Sequence, residues 1–201
     1  MERVTPLDAD ASISDQDLVG RARAGDDSAF DALVVRHQQR AFNVAYQLLR
    51  HHEDATEVAQ DAFVRIYRNL ESFRGECEFT TWLHQVVVNL ARNKHRWWKR
   101  RGKDRTVSLD HPIETEAGAV ARQPVAIDDA PDTQAVKAEF VELLGRRMSE
   151  LPQKFREVLV LRNVEDLSYE EIAAVLQCSV GTVKSRLARA RDQLRKAMEQ
   201  D

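Results

Sequence analysis

The chain has 201 residues, 30 of them Lys or Arg and 33 Asp or Glu, for a formal net charge of −3. At roughly 100–200 residues per domain this is one domain or two small ones; the 43% hydrophobic content excludes a disordered chain, and no apolar run approaches the ~18–20 residues that cross a bilayer. Two cysteines 101 positions apart, Cys77 and Cys178, exclude a disulfide framework and a zinc knuckle, and fit a reducing cytoplasm.

No apolar segment follows Arg3 before Asp15, so no secretory leader is expected. Ser14 can cap a first helix, which Gly25 ends. Asp26 can cap a second, whose apolar positions are Phe30, Leu33, Val34, His37, Ala41, Val44, Ala45 and Leu48; His37 on that stripe reads as a packed side chain. The polar break His51-His52-Glu53 is expected to be an exposed loop. A third helix carries Ala55, Val58, Ala59, Ala62, Phe63, Ile66 and Leu70 at steps of three and four, opposite a polar face of Glu57, Gln60, Asp61, Arg65 and Arg68. The loop from Glu71 to Glu78 leads to a fourth helix, with Phe79, Trp82, Leu83, Val86, Val87 and Leu90 on its buried face. Its other face presents Gln85, Asn89, Arg92, Asn93, Arg96 and Arg100. Amides there can pair with base edges and arginines with phosphates. Trp82 and Trp97 are expected in the core, whereas Trp98 suits either core packing or stacking on unpaired bases.

The near-neutral total hides a strong segregation of charge. Asn89 to Arg105 nets +7, Thr106 to Gln134 nets −5, and Cys178 to Met198 nets +5. The acidic stretch holds three of the five prolines (Pro112, Pro124 and Pro131) and has no periodic pattern, so it reads as a linker. The expected organisation is all-α: a helical bundle over 14–102, a flexible acidic linker over 103–134, and a second small helical unit over 135–199.

That second unit begins with a helix through Leu144 and another from about Pro152 to Arg162. A tighter pair follows. Ser168 with Glu171 three residues later forms a capping box, Gln177-Cys178-Ser179 makes a short turn, and Ser179 can cap the next helix. This is a helix-turn-helix pattern at about 168–197. Val183, Leu187, Ala190 and Leu194 form its apolar edge. The opposite edge carries Gly181, Ser185, Ala188 and Arg189, flanked by Thr182, Lys184 and Arg186. Small residues let the helix axis approach DNA closely, and the cations and hydroxyls can reach bases or phosphates. A solvated basic face is the alternative.

Catalysis has little support: the six histidines are dispersed, no H-E-x-x-H or glycine-rich phosphate loop occurs, and no metal-ligand cluster is apparent. No enzyme activity, cofactor or metal is therefore expected.

Three stretches together resemble the extracytoplasmic-function (ECF) sigma factors, short members of the bacterial sigma-70 family. Asp54-Ala55-Thr56-Glu57-Val58-Ala59-Gln60-Asp61-Ala62-Phe63 is similar to the family's core-polymerase-binding helix. Ser72-Phe73-Arg74-Gly75, with Phe79-Thr80-Thr81-Trp82-Leu83 through Arg92-Asn93, is similar to its minus-ten reader. Leu167-Ser168-Tyr169-Glu170-Glu171-Ile172-Ala173, with Val180-Gly181-Thr182-Val183-Lys184-Ser185-Arg186, is similar to its minus-thirty-five reader. The resemblance implies promoter-directed transcription initiation of a stress- or envelope-response regulon.

The resemblance also implies site roles. Glu57, Gln60 and Asp61 would bind the clamp helices of the largest core RNA polymerase subunit, and the second unit would meet the polymerase flap. Arg74, Gly75, Glu76, Asn89, Arg92, Asn93 and Arg96 would capture single-stranded DNA at the minus-ten element. Thr182, Lys184, Ser185, Arg186 and Arg189 would read duplex DNA at the minus-thirty-five element. An anti-sigma factor is an expected partner, the location is cytoplasmic or held at the membrane through that partner, and the linker would thread the polymerase towards the RNA path. The chain departs from the family pattern at Asp61 (often Glu), Gln177 (a frequent turn Gly) and Ser179 (a frequent Pro). A stand-alone helix-turn-helix regulator is the competing reading; it needs neither the second basic face nor the acidic tether.

Overall fold

Ser14 lies in extended backbone, and its hydroxyl accepts the Asp17 N–H at 3.1 Å, which starts α1, Asp15–Arg23. The computed structural model describes residues 13–102 and 131–199; within them the chain forms eight α-helices and no strand. Gly25 turns the chain with φ +93°, and the Asp26 carboxylate caps α2, Asp27–Leu49. Arg50 takes the left-handed conformation that closes α2. The His51 ring then accepts the Asp54 N–H through Nδ1 at 3.3 Å and so caps α3, His52–Arg68. The His51–Glu53 break is thus one residue of cap followed by the first turn of α3 rather than a loop, with His52 and Glu53 exposed as expected. A single 3₁₀ turn, Leu70–Ser72, precedes α4, Phe79–Arg100.

The apolar stripes read from the sequence meet one another in this first unit. Leu33, Val44, Ala45, Val58, Ala62, Ile66, Leu83 and Val87 are buried where α2, α3 and α4 pack together. His37 is buried as expected, with Nε2 2.7 Å from Asp15 on α1.

The second unit contains α5 (Pro131–Glu150), α6 (Gln153–Asn163), α7 (Tyr169–Leu176) and α8 (Val180–Met198). Its first helix starts at Pro131, within the expected linker, and runs six residues past the expected end at Leu144. Residues 103–130, which hold the rest of the predicted linker, lie outside the described residues. α6 is short, and every residue from Phe155 to Leu161 is buried. A helix covered on all sides must lie at the centre of its surroundings.

What surrounds α6 is partly the first unit. α2 packs on α5 and α6, and α4 packs on α7, so the apolar cores of the two units are continuous. Charged groups are buried along this seam. Arg156 on α6, 5% exposed, donates to the carbonyl oxygens of Met148, Ser149 and Leu151 in its own unit and of Leu48 at the end of α2. Four carbonyl acceptors at the C-terminal ends of two helices suit a guanidinium, because both helix ends carry partial negative charge.

Candidate nucleic-acid and polymerase interfaces

The helix-turn-helix forms through local chemistry legible in the sequence. The Ser168 hydroxyl accepts the Glu171 N–H at 3.2 Å while the Glu171 carboxylate accepts the Ser168 N–H at 2.7 Å, completing the capping box. Those hydrogen bonds hold the Glu171 carboxyl below the usual carboxylate range. Gln177 ends α7 at φ +53°, a left-handed position that favours glycine. Ser179 caps α8 through the Thr182 N–H at 3.2 Å.

Val183, Leu187 and Ala190 face inward from α8, leaving Gly181, Lys184, Ser185, Ala188 and Arg189 exposed and Thr182 and Arg186 half-buried. No side chain is within 4 Å of a Cβ placed on Gly181 other than Ser179 Oγ at 3.8 Å, so this glycine leaves the helix surface open. The Thr182 and Ser179 hydroxyls lie 2.9 Å apart, and the Ser185 hydroxyl donates to the Thr182 carbonyl. These hydroxyls are held by the first turn, whereas Lys184 and Arg189 are exposed farther along the helix. Lys184 also leans over the Tyr169 ring, 5.9 Å from its centroid.

A second interface lies at the start of α4. Ser72, Phe73, Arg74, Glu76, Cys77, Trp82 and Gln85 line a hollow of about 460 Å³. Its floor is an aromatic stack, Phe73 on Trp82 with centroids 4.6 Å apart and planes 12° apart. Trp82 is therefore only half-buried and faces the hollow, rather than being enclosed in the core. Gly75, at φ +73°, turns the loop so that Arg74 and Glu76 both reach the rim. Partial desolvation, together with the neighbouring Glu76 and Glu78, pushes the thiol of the otherwise exposed Cys77 up from its ordinary range. Farther along α4, Asn93, Arg96, Lys99 and Arg100 line another open hollow, with Arg96 donating to Asn93. Of the next two tryptophans, Trp97 departs from its expected core position, and Trp98, expected either in the core or stacking on bases, takes that position. Trp98 packs on the core beside His51 and His95, whereas Trp97 lies under Arg101, 4.4 Å from its ring centroid. Two consecutive helix positions point about 100° apart, so only one can continue the apolar stripe.

The structure brings Arg74 and Glu76 together with Gln85, and Asn93 together with Arg96. It sets Arg92 apart. Its guanidinium makes a two-pronged ion pair with Glu157 on α6 at 2.8 and 2.6 Å, and its Nη1 lies 3.4 Å from Asn89 Oδ1. Side-chain hydrogen bonding to Glu157 raises the Arg92 pKa. Glu157 is buried, as is Glu165, whose Oε2 meets His84 Nε2 at 3.1 Å and Arg40 Nε at 2.8 Å. Sequence reading missed His84, Arg156, Glu157 and Glu165. A signal was present: Arg156-Glu157 interrupts the apolar run of α6, and buried charges need partners.

On α3, Glu57, Gln60 and Asp61 are all exposed on one face, beside the exposed side chains of Val64 and Tyr67. Lys94 of α4 buttresses this face through Glu57 at 2.6 Å and Asp54 at 2.7 Å. Among the described residues no cluster of His, Cys, Asp or Glu could hold a metal ion, and no helix is long and apolar enough to cross a membrane.

Comparison with known proteins matches these two units to two family descriptions: Sigma-70 region 2 over residues 33–102, and Sigma-70, region 4 over residues 142–194. The RNA polymerase sigma-H factor of Pseudomonas aeruginosa is 37% identical over 185 residues, covering 92% of this chain and 94% of that protein. The ECF RNA polymerase sigma-E factor of Escherichia coli K12 is 36% identical over 180 residues, covering 90% and 92%. Among solved structures, CnrH in complex with the cytosolic domain of CnrY has a TM-score of 0.66 at 25% identity, over 94% of this chain and 99% of that one. The sigma factor RpoE of Bartonella quintana, in complex with the anti-sigma factor NepR, shares the fold with a TM-score of 0.61 at 24% identity, over 86% and 98%. With both units matched in order and along nearly the whole of these relatives, the chain belongs to the extracytoplasmic-function sigma factors of the sigma-70 family, which direct promoter-specific transcription initiation.

Proposed function

We propose that the two units divide promoter recognition between them, with the chain acting as a non-catalytic subunit of RNA polymerase in the cytoplasm. The observation that carries this reading is the pairing of an open small-residue edge on α8 with an aromatic-floored hollow at the start of α4. Duplex DNA fits the first, and an unstacked base fits the second.

Lys184, Arg186 and Arg189 reach bases or phosphates of the minus-thirty-five duplex, while Thr182 and Ser185 exchange their local hydrogen bonds for contacts with DNA. At the minus-ten element, Arg74, Gly75 and Glu76 border the hollow, and Asn89, Arg92, Asn93 and Arg96 follow the strand along α4. Extruding a base costs a few kcal/mol of stacking, which a preformed aromatic floor offsets. Glu57, Gln60 and Asp61 dock on the clamp helices of the largest polymerase subunit, the second unit meets the flap, and the domain limits are 14–102 and 135–199 around the linker. The two solved relatives held by CnrY and NepR support an anti-sigma factor as partner, through which the chain would be held at the membrane until a stress signal releases it.

The test is transcription by sigma-free core polymerase from a genomic promoter library. Added chain is expected to yield discrete start sites, and Lys184→Ala with Arg189→Ala to lose them at promoters that depend on the minus-thirty-five element. A chain that binds operator-like duplexes but fails to bind core polymerase would overturn the reading.

A further inference from the structure

Lys94 reaches from α4 onto the face of α3 assigned to polymerase docking. Its ammonium lies 2.7 Å from Asp54 Oδ1 and 2.6 Å from Glu57 Oε2, and 5.8 Å from the centre of the Trp97 ring. These charged groups are unequally covered. The side chains of Lys94 and Asp54 are 18% and 17% exposed, that of Glu57 61%. Asp54 is itself fixed at the start of α3, where its N–H donates to the His51 ring. Desolvation works against the Lys94 ammonium, but its hydrogen bonds to Asp54 and Glu57 prevail and raise its pKa, so it stays charged. Two covered groups thus hold one exposed carboxylate. We propose that Lys94 is a positioning residue for polymerase docking: anchored by Asp54, it holds the Glu57 side chain in the conformation in which the carboxylate meets the clamp helices. This rests on the docking role of Glu57 given above.

A glutamate left to itself on a helix surface samples many rotamers, and freezing one of them on binding weakens association. An ion pair made beforehand removes that loss. Fully exposed ion pairs seldom order a side chain; this ammonium is mostly buried and is shared with a second, covered carboxylate. Charge alone predicts the opposite effect. Asp54, Glu57 and Asp61 make the face negative, which suits a basic partner, and Lys94 subtracts from that field. A chain without the cation would then dock more tightly, so the sign of the change separates positioning from charge. The placement also links the two proposed interfaces. Asn93, next in sequence to Lys94, lies about 100° around the same helix on its strand-facing side. One helix therefore presents a face to DNA and supports another for polymerase.

The experiment uses the full chain, labelled with fluorescein at its amino terminus and titrated with sigma-free core polymerase at fixed salt. Anisotropy reads Kd, and circular dichroism reads helix content. Lys94→Met and Lys94→Gln remove the cation, Lys94→Arg keeps it, and Glu57→Gln removes the docking charge. Combining Lys94→Met with Glu57→Gln completes a double-mutant cycle. Lys94→Met and Lys94→Gln are expected to keep native helicity and to raise Kd about threefold to tenfold, with Lys94→Arg recovering most of the loss. In the Glu57→Gln background, Lys94→Met should change Kd by less than about twofold. A Kd that is unchanged or lower in both Lys94 variants overturns the proposal. So does a Lys94→Met loss that adds in full to that of Glu57→Gln, because the lysine would then act on the fold rather than through Glu57. Core binding by Glu57→Gln as tight as wild type would instead remove the docking role of Glu57, a result read without any Lys94 variant.

Discussion

Replacing Arg156 by methionine keeps an unbranched apolar stem, though a shorter one, and removes the five N–H donors of the guanidinium. The structure gives Arg156 four carbonyl acceptors, Leu48, Met148, Ser149 and Leu151, in a site where only 5% of the residue is exposed. The Met148 carbonyl also accepts the Leu151 N–H at 3.3 Å, so three acceptors lose their donor; at about 1 kcal/mol for each, the loss is roughly 3 kcal/mol. Against it stands roughly 1–2 kcal/mol recovered by no longer burying a guanidinium. Burial lowers the Arg156 pKa, which is the same desolvation acting on its charged form. The carbonyls win, and a net loss of about 1–2 kcal/mol is expected. For a chain of this size each kcal/mol moves Tm by roughly 2–4 °C, so the melting temperature followed by circular dichroism should fall by about 2–8 °C. Arg156→Lys separates charge from geometry: one ammonium cannot serve four carbonyls, so it should restore little. A methionine variant that melts at or above the wild-type temperature would refute the reasoning, since burial of charge would then outweigh the orphaned carbonyls.

Burial pushes the His37 imidazole below its ordinary range despite the Asp15 carboxylate beside it. Its neutral form is thus favoured by folding, and the stability it supplies is present above about pH 6.5 and lost as pH falls below that toward the depressed native value. Urea midpoints measured from pH 7.5 down to 5.5 should decline, and His37→Gln should flatten that decline. Ser168→Ala removes the acceptor for the Glu171 N–H and should cost about 1 kcal/mol in urea unfolding at neutral pH. The depressed Glu171 carboxyl carries its own share of stability, present above about pH 4.5 and lost as pH falls through its native value; Glu171→Gln should abolish that acid dependence in the same titration. Gln177→Gly should stabilise the chain by about 0.5–1 kcal/mol, because the left-handed backbone at φ +53° no longer carries a Cβ; a lower melting temperature would show that side-chain contacts of Gln177 outweigh the strain.

Much of the fold was legible because its decisive signals are local. Ser14, Asp26, Ser168 and Ser179 each cap the helix that their spacing predicts, and Gln177 adopts the positive φ that its replacement of a turn glycine implied. The hollow was half legible: Arg74, Gly75 and Glu76 were in view, but the Phe73–Trp82 stack beneath them depends on a loop folding back onto a helix. What periodicity cannot disclose is which surface covers a buried face. It assigned Trp97 inward when the turn of α4 favours Trp98, and it left Arg92 on an open face that α6 in fact closes. The contacts responsible span 65 to 108 residues of sequence, and no window of helical length contains both partners.

The four carbonyls gathered by Arg156, three from its own unit and one from α2, bear on the modularity of such proteins. Promoter specificity invites recombination, in which the duplex-reading half of one chain is joined to the strand-reading half of another. Here the halves are fitted to one another by Arg92 with Glu157 and by His84 with Glu165. A hybrid that inherits only the carboxylates, Glu157 and Glu165, buries each without its partner in the seam, at a cost of about 3–5 kcal/mol per broken pair. Matched pairs at this joint therefore constrain which halves can be exchanged.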